Sequence, residues 1–330
     1  MEDIVCSVSN NGFSDNHSIA YCLLGYLCAY YRYYHPIEFI TSFLNNAAND
    51  EDIRNGTLYA NKVGIAVTNP KWGLSRSEYF FDKDRNIIAK GLTSVKYMSD
   101  GLAEELYALA RNNHYSRFVD LLYDIDRKTS INTRQLDILI KLDFFSDFGN
   151  QRELLRITDM FYDIFKKGEA KQISKEKVAG TVLEPIIARN SRSLTRSGQE
   201  SKSYTSLDTH QILIEVEDAI KSANLGDLSD LVKVRNFYDV MGYIGYVSGK
   251  EEDRRKLYVL DVYVLNRKKD GKQFGYSIVT KSIGSGVDSR FTVFNRVYNT
   301  DPIHKGDIIY CQSFTREGQY FTLTGFKKIY

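Results

Sequence analysis

The hydrophobic period of this 330-residue chain changes at about Asn236, and nothing else in the sequence limits its fold as strongly. From there six short runs alternate apolar with polar residues: YDVMGYIGYVSG, KLYVLDVYVLN, FGYSIVTKS, SRFTVFNRVY, GDIIYCQSF and QYFTLTGFKKI, broken by turns such as Asp270-Gly271 and Glu317-Gly318. A period of two belongs to strands with one buried face, and six such runs in so short a stretch predict a small, closed or nearly closed β barrel. Ahead of Asn236 apolar residues recur at three and four, the helical period. The expected class is therefore α+β and multidomain, a helical body followed by a barrel. With 43% hydrophobic residues the chain can build two or three cores.

The helical half opens on NGFSDNHSIAYCLLGYLCAYYRYYHPIEF, Asn11 to Phe39. Ser14 or Asp15 can cap a helix running to Tyr34, with Ile19, Leu23, Leu27, Tyr30 and Tyr34 on one face. Pro36 ends it and starts the next. Its uncharged run is too short and too tyrosine-rich for a membrane span, which takes about 20 apolar residues. Further helices are expected from Pro36 to about Asn46 and from Asp50 to Lys62, the latter stopped at Gly64. GIAVTNP then reads as a short strand, and Tyr79-Phe80-Phe81-Asp82 with Ile87-Ile88-Ala89 as a hairpin turning at Lys83 to Asn86. Trp72, the one tryptophan, is either a cover on that hairpin or a platform for a base.

The order phenylalanine, three polar residues, histidine, alanine-tyrosine, then a tyrosine-rich helix closed by His-Pro-x-Glu-Phe resembles the fingers segment of the bacterial replicative polymerase, the C-family DNA polymerase III alpha subunit. Phe13, His17, Ala20, Tyr21, Ala29, Tyr30, Pro36, Glu38 and Phe39 match, and Asp15 stands where the family has lysine. A lysine there suits a triphosphate and an aspartate repels one. The resemblance therefore leaves nucleotide contact to His17, Tyr21 and Arg32, with a local hydrogen bond at a helix start as the other reading of His17.

Two later pieces resemble the tandem helix-hairpin-helix element that follows the fingers in that family: GLTSVK with AEELYALAR, and INTRQLDILIKLDFFSDFGN. In such hairpins a tight turn lets backbone N–H groups approach a phosphate at a helix N-terminus, and nearby cations add charge. This chain has Lys96-Tyr97-Met98-Ser99 where the family has lysine-glycine-valine-glycine, and Asp143 where the second turn carries glycine. Lys96, Arg134, Lys141 and Arg152 remain as expected phosphate contacts; the alternative is that these helices only support the fingers. From Lys166 to Lys202 nine Lys or Arg stand against four Glu, a composition of solvated linkers whose sign also suits a DNA backbone. An amphipathic helix, SLDTHQILIEVEDAIKSAN, follows, with Ser206 as its cap and Ile212, Val216 and Ile220 on one face. The barrel resembles the polymerase's OB domain in position and length. Such a surface binds single strands by stacking plus a basic groove, which points to Lys272, Phe274, Lys281, Arg290, Phe291 and Arg296; at a period of two half of the aromatics must face the core, Tyr276 and Phe294 being candidates, and the sequence alone does not decide which half. The expected domains are residues 1–90, fingers-like; 91–165, helix-hairpin-helix-like; 166–235, basic linker and helix; and 236–330, OB-like barrel.

A net charge of +2 and a pI near 8.1 do not by themselves announce a nucleic-acid binder, so charge must act locally. Cys6, Cys22, Cys28 and Cys311 lack metal or disulfide spacing, and the N-terminus lacks the basic end and apolar core of a signal peptide, so a reducing, cytoplasmic setting without membrane contact is expected. In the resembling family two metal ions sit on palm aspartates ahead of the fingers. The expectation is that this chain holds no cofactor, any Mg²⁺ belonging to a palm elsewhere. Asp124-Ile125-Asp126 is the nearest carboxylate pair, but it follows an evident helix. QLDIL at 135–139 and TDMF at 158–161 are similar to peptides by which replicative polymerases bind the sliding clamp; the first needs its leucines for packing and the second lacks glutamine. Two readings stay open. The chain is the DNA-guiding carboxyl-terminal part of such a polymerase, binding primer-template and single strand beside a palm on another chain, or it is a stand-alone, non-catalytic DNA-binding protein.

Overall fold

A computed structural model describes residues 15–166, 169–170, 172–181, 183–195, 197–241 and 245–329, with no side-chain description at 15–17, 50, 54, 165–166 and 169–170. The chain divides into two compact units, with the boundary along the sequence between His114 and Tyr115. Among the described residues no helix is long and apolar enough to cross a membrane.

The first unit begins with helix α1 (Asp15–Tyr34), followed by α2 (Pro36–Asn45) and α3 (Asp50–Lys62). Asn49 caps α3 by accepting from the Asp52 N–H, and Gly64 takes the left-handed conformation that stops it. Strands β1 (Ala66–Thr68), β2 (Phe80–Asp82) and β3 (Ile87–Ala89) form a sheet in the order β1-β3-β2, with β1 parallel and β2 antiparallel to β3. Ile37, Ile40, Leu44, Ala60, Ile65 and Ile88 make the core between these helices and the sheet. Asn45 fastens α2 to the sheet through both backbone polar groups of Tyr79. The expected hairpin is present with its expected strands, and Trp72 is half-buried. The face of α1 written in the sequence is not buried: Ile19, Leu23, Leu27, Tyr30 and Tyr34 are all exposed. A short 3-10 turn, Leu92–Ser94, leads to α4 (Asp100–Asn112), which buries Leu102, Ala103, Leu106 and Leu109. Gly91 is required here, because a Cβ would lie 2.3 Å from the Ser77 carbonyl oxygen.

The second unit opens with α5 (Phe118–Lys128), α6 (Thr133–Lys141) and α7 (Gln151–Ile164). Asn132 and Gln135 form a reciprocal capping box at the start of α6. Residues 166–235 carry more structure than a solvated linker: β4 (Phe165–Lys166) pairs with β5 (Glu169–Ala170), and β6 (Ile173–Ser174), β7 (Ser191–Leu194) and β8 (Glu200–Ser206) form a second sheet in the order β6-β8-β7. Helices α8 (Lys175–Val178) and α9 (Glu184–Arg189) lie between those strands. Ile173, Val178, Leu183, Ile186, Ile187 and Tyr204 are its buried apolar side chains among the described residues, few enough to be hidden in a charge-rich composition. Helix α10 (Thr209–Ser222) is capped by Asp208 instead of Ser206, and buries Ile212, Val216 and Ile220 as its period predicts. Its Glu217, 0% exposed, accepts from the Phe118 and Val119 N–H groups at the start of α5 and from Lys221.

Helix α11 (Asp230–Met241) takes in Tyr238 to Met241, the start of the run expected as the first barrel strand, and residues 245–249 form no strand; Val234, Phe237 and Val240, three apart, are its buried face. The barrel therefore has five strands: β9 (Lys256–Asn266), β10 (Gln273–Ser282), β11 (Asp288–Phe294), β12 (Ile308–Glu317) and β13 (Tyr320–Lys328). They close in the order β9-β10-β11-β13-β12, with β11 and β13 parallel and the other pairs antiparallel, and a short helix α12 (Asn295–Tyr298) follows β11. This is an OB-like barrel. Val259, Ile278, Phe291, Val293, Ile309 and Leu323 fill its interior. Val234 of α11 packs on a second cluster with Tyr258, Ile283 and Ile308.

Candidate nucleic-acid interface

The two helical turns keep a backbone that glycine would normally supply. Tyr97 has φ 68° and Asp143 φ 61°, both left-handed, at the positions where the hairpin pattern carries glycine. The fold has kept the turn and replaced its residue. The helix starts beside these turns are nevertheless closed by their own side chains. Ser99 Oγ accepts from the Leu102 N–H at 3.4 Å, and the acidic Asp100 occupies the first turn of α4. At α7, Asn150 Oδ1 accepts from the Glu153 N–H at 3.0 Å while Glu153 accepts from the Asn150 N–H at 3.3 Å. Backbone N–H groups so engaged offer little to a phosphate, which leaves that role to side chains.

Lys96, Arg134 and Arg152 are exposed. Lys141 is half-buried and holds Asp137 at 2.7 Å, so its charge is partly spent within α6. Asp143 sits near Lys233, 4.0 Å away, and Lys233 also pairs with Asp227. Burial outweighs that cation and raises the Asp143 carboxyl above the usual carboxylate range. The Asp124 carboxylate is engaged by two neighbours. It accepts from Tyr115 Oη at 2.6 Å and Lys128 Nζ at 2.8 Å, and although burial pulls the other way these bonds hold it below its ordinary pKa.

Of the residues expected to touch a nucleotide, the His17 side chain lies outside the described residues. Tyr21 and Arg32 are exposed, three helical turns apart, about 16 Å along α1. The Arg32 guanidinium lies 4.1 Å over the Tyr59 ring, which fixes it to α3. The clamp-like segments are inside the fold: Leu136 and Leu139 are buried in α6, and Thr158, Met160 and Phe161 in α7.

On the barrel the expected roles of two aromatics are exchanged. Phe291 is 6% exposed and belongs to the barrel core, so it cannot stack on a base; Phe294 is 49% exposed. The cause is strand parity. Phe291 and Val293 point inward, which turns Phe294 out, whereas Tyr276 packs inward with its ring 3.5 Å from that of Tyr298. A register shift between Gln273 and Gly275 bulges β10 and brings Phe274 to 6.2 Å from Phe294, the partner of Gly275. Gly275 permits that approach, since a Cβ would meet the Val293 carbonyl oxygen at 2.5 Å. Arg267, Gln273, Phe274, Phe294, Asn295 and Arg296 line an open cleft of about 530 Å³. Sequence reasoning missed Arg267 and Phe294, and only the strand parity, fixed once the inward residues are known, identifies the second. Lys281 pairs with Asp288 at 3.0 Å, while Lys272 and Arg290 are exposed.

Residues 64–155 match a family model described as a helix-hairpin-helix motif. The DNA polymerase III subunit alpha of Ureaplasma parvum is 24% identical over 166 residues, 50% of this chain and 17% of that protein. That of Treponema pallidum is 29% identical over 155 residues, 46% of this chain and 13% of its own length. For Campylobacter jejuni the figures are 23% over 282 residues, 79% and 23%. The chain thus spans less than a quarter of these curated relatives. With a helix-hairpin-helix region followed by an OB-like barrel, this chain is similar to a carboxyl-terminal part of the DNA polymerase III alpha subunit.

Proposed function

We propose that the chain guides DNA for a polymerase of the DNA polymerase III alpha type, gripping primer-template duplex through the helical hairpins and single-stranded template through the barrel. The observation that carries this reading is the helix-hairpin-helix match at 64–155, in which both turns retain left-handed backbone. Phosphate contact falls to the side chains of Lys96, Arg134 and Arg152, because the adjoining helix starts are capped from within. Nucleotidyl transfer falls to a palm that supplies two Mg²⁺ ions, and the exposed apolar face of α1 is the surface suited to meet it. Loss of the turn glycines and Asp15 in place of lysine favour a second reading, a stand-alone DNA-binding protein that has shed the catalytic partnership.

The test is fluorescence anisotropy of a labelled primer-template with the wild type and with Arg134→Ala and Arg152→Ala. Each substitution is expected to weaken duplex binding several-fold, since one lost phosphate contact lowers affinity without changing sequence preference. Wild-type affinity in both variants would remove the hairpins from the DNA path. Primer extension by the chain mixed with a separate palm domain, and not by either alone, would select the first reading over the second.

A further inference from the structure

Asp143 carries two costs that its own turn does not explain. Its backbone is left-handed at φ 61°, where a glycine would sit without strain, and burial pushes its carboxyl above the usual carboxylate range. A residue in that state is held there by its surroundings. Here the surroundings are α11 and the segment before it. Lys233 Nζ of α11 lies 4.0 Å from Asp143 Oδ2, a charge pair without a hydrogen bond, and the lysine side chain is only 11% exposed. The same ammonium is bonded to Asp227 and lies 5.6 Å from the centre of the Tyr246 ring. Tyr246 in turn donates its hydroxyl proton to Asp230 at the start of α11, and Lys250 holds the other oxygen of Asp230 at 2.5 Å. Asn150 adds a bond from Nδ2 to the Leu225 carbonyl at 3.2 Å, so both ends of the hairpin turn are fastened to residues 225–233.

The next residue along α11 belongs to the barrel. Val234 is fully buried with Tyr258, Ile283 and Ile308, and the Tyr238 and Tyr258 rings lie 4.9 Å apart. Beyond the helix, the Ser248 N–H donates to the Ile283 carbonyl at 2.9 Å. One helix of 12 residues is thus attached to the hairpin turn by one side chain and to the barrel by its neighbour in sequence. Because a helix is stiff over that length, it passes the orientation of one body to the other.

We propose that Lys233 is a positioning residue: through Asp143 it fixes the second hairpin turn against the barrel, so that the two hold one duplex–single-strand junction together instead of two DNA segments independently. The proposal deepens the DNA-guiding reading and rests on it. Two modest sites held rigidly gain from each other, because engagement of the first presents the second at high effective concentration. A loose connection loses that gain although each site keeps its own affinity. The brace also gives a reason for aspartate at this turn. Glycine would relax the backbone and leave Lys233 no anion there.

The test uses the full chain with Cys6→Ser, Cys22→Ser and Cys28→Ser, carrying nitroxide labels on Asp159→Cys of α7 and Lys327→Cys of β13, both exposed positions. Pulsed dipolar spectroscopy should give one narrow distance distribution when the brace is intact. Asp143→Gly and Lys233→Met should each broaden it, their combination should broaden it no further because both break one contact, and Lys233→Arg should keep it narrow. The same variants are then read by fluorescence anisotropy on three labelled DNAs: a blunt duplex, a single strand, and the duplex with a single-stranded template overhang. The overhang duplex should lose about tenfold in affinity in Asp143→Gly and Lys233→Met, whereas the blunt duplex and the single strand are bound no more weakly than by the wild type. Asp143→Gly relieves the backbone, so it keeps the test decisive even where Lys233→Met folds poorly, and an unchanged circular dichroism spectrum checks its fold. A distribution as narrow in Asp143→Gly as in the wild type overturns the brace, and a broadened one with the overhang affinity intact overturns its role at the junction. Failure of the wild type to bind any of the three DNAs overturns the DNA-guiding reading and the junction with it, and the distances alone tell that failure from failure of the brace.

Discussion

Tyr97 and Asp143 show how a motif can lose its signature residue and keep its shape. A left-handed conformation costs an L-residue roughly 1–2 kcal/mol, and glycine at such a site gives back about 0.5–1 kcal/mol through its freer unfolded chain. Tyr97→Gly should therefore leave the protein as stable or up to about 1 kcal/mol more stable, measured as the urea midpoint; a clear loss would mean that the tyrosine ring, 57% exposed, holds more of the turn than its exposure suggests. At Asp143 the raised pKa fixes the sign of a pH effect. A carboxyl whose folded pKa exceeds its unfolded one contributes fully below the unfolded value and loses that contribution as pH rises through the folded value. Asp143→Asn should thus melt higher than wild type at neutral pH, with the gap closing toward about pH 3, below the ordinary carboxylate pKa. The opposite trend would show that Lys233 outweighs burial. Neither backbone conformation was legible in the sequence, where tyrosine and aspartate stand at positions that carry glycine in the resembling family. The outward-facing aromatics of the barrel were half legible: the alternation from Lys272 to Arg296 says that one set faces out, but not which.

Local signals carried the first unit's elements well, because each has its own punctuation. Pro36, Gly64, the 83–86 turn and the strand pair around it give α2, α3, β2 and β3 nearly to the residue. They say nothing about what covers α1, since an amphipathic period is satisfied equally by a core or by a partner. The error at α11 has another origin. Tyr238, Val240, Gly242, Ile244 and Tyr246 alternate as a strand would, while the three-residue steps Val234, Phe237 and Val240 that decide the helix begin earlier. That helix matters to the barrel. A fragment beginning at Asn236 cuts α11 in two and deletes Val234, which is fully buried against Tyr258, Ile283 and Ile308. A fragment of residues 228–330 should fold with a β-rich circular dichroism spectrum and a cooperative melt. One of residues 245–330 should be weaker by about 1.5–3 kcal/mol per lost apolar side chain. Equal stability of the two would show that α11 is dispensable to the barrel.

For the molecule as a whole, a nearly balanced charge conceals a strongly uneven one. Lys128, Lys141 and Lys221 are each neutralised by a carboxylate one helical turn away, whereas among the described residues exposed Lys62, Arg152, Arg192, Lys202 and the cations of the β9–β10 loop are not. Net charge therefore misleads here, and the β-rich carboxyl-terminal pattern and the hairpin motifs were better guides to the relationship with the polymerase subunit. The DNA-guiding account is tested most directly by the salt dependence of binding to a labelled primer-template with a single-stranded overhang. If about four phosphates are engaged, log affinity should fall linearly with log salt at a slope of roughly −3 to −4. A wild-type chain that does not bind this DNA at low salt, or binds it with a slope near zero, would contradict the account.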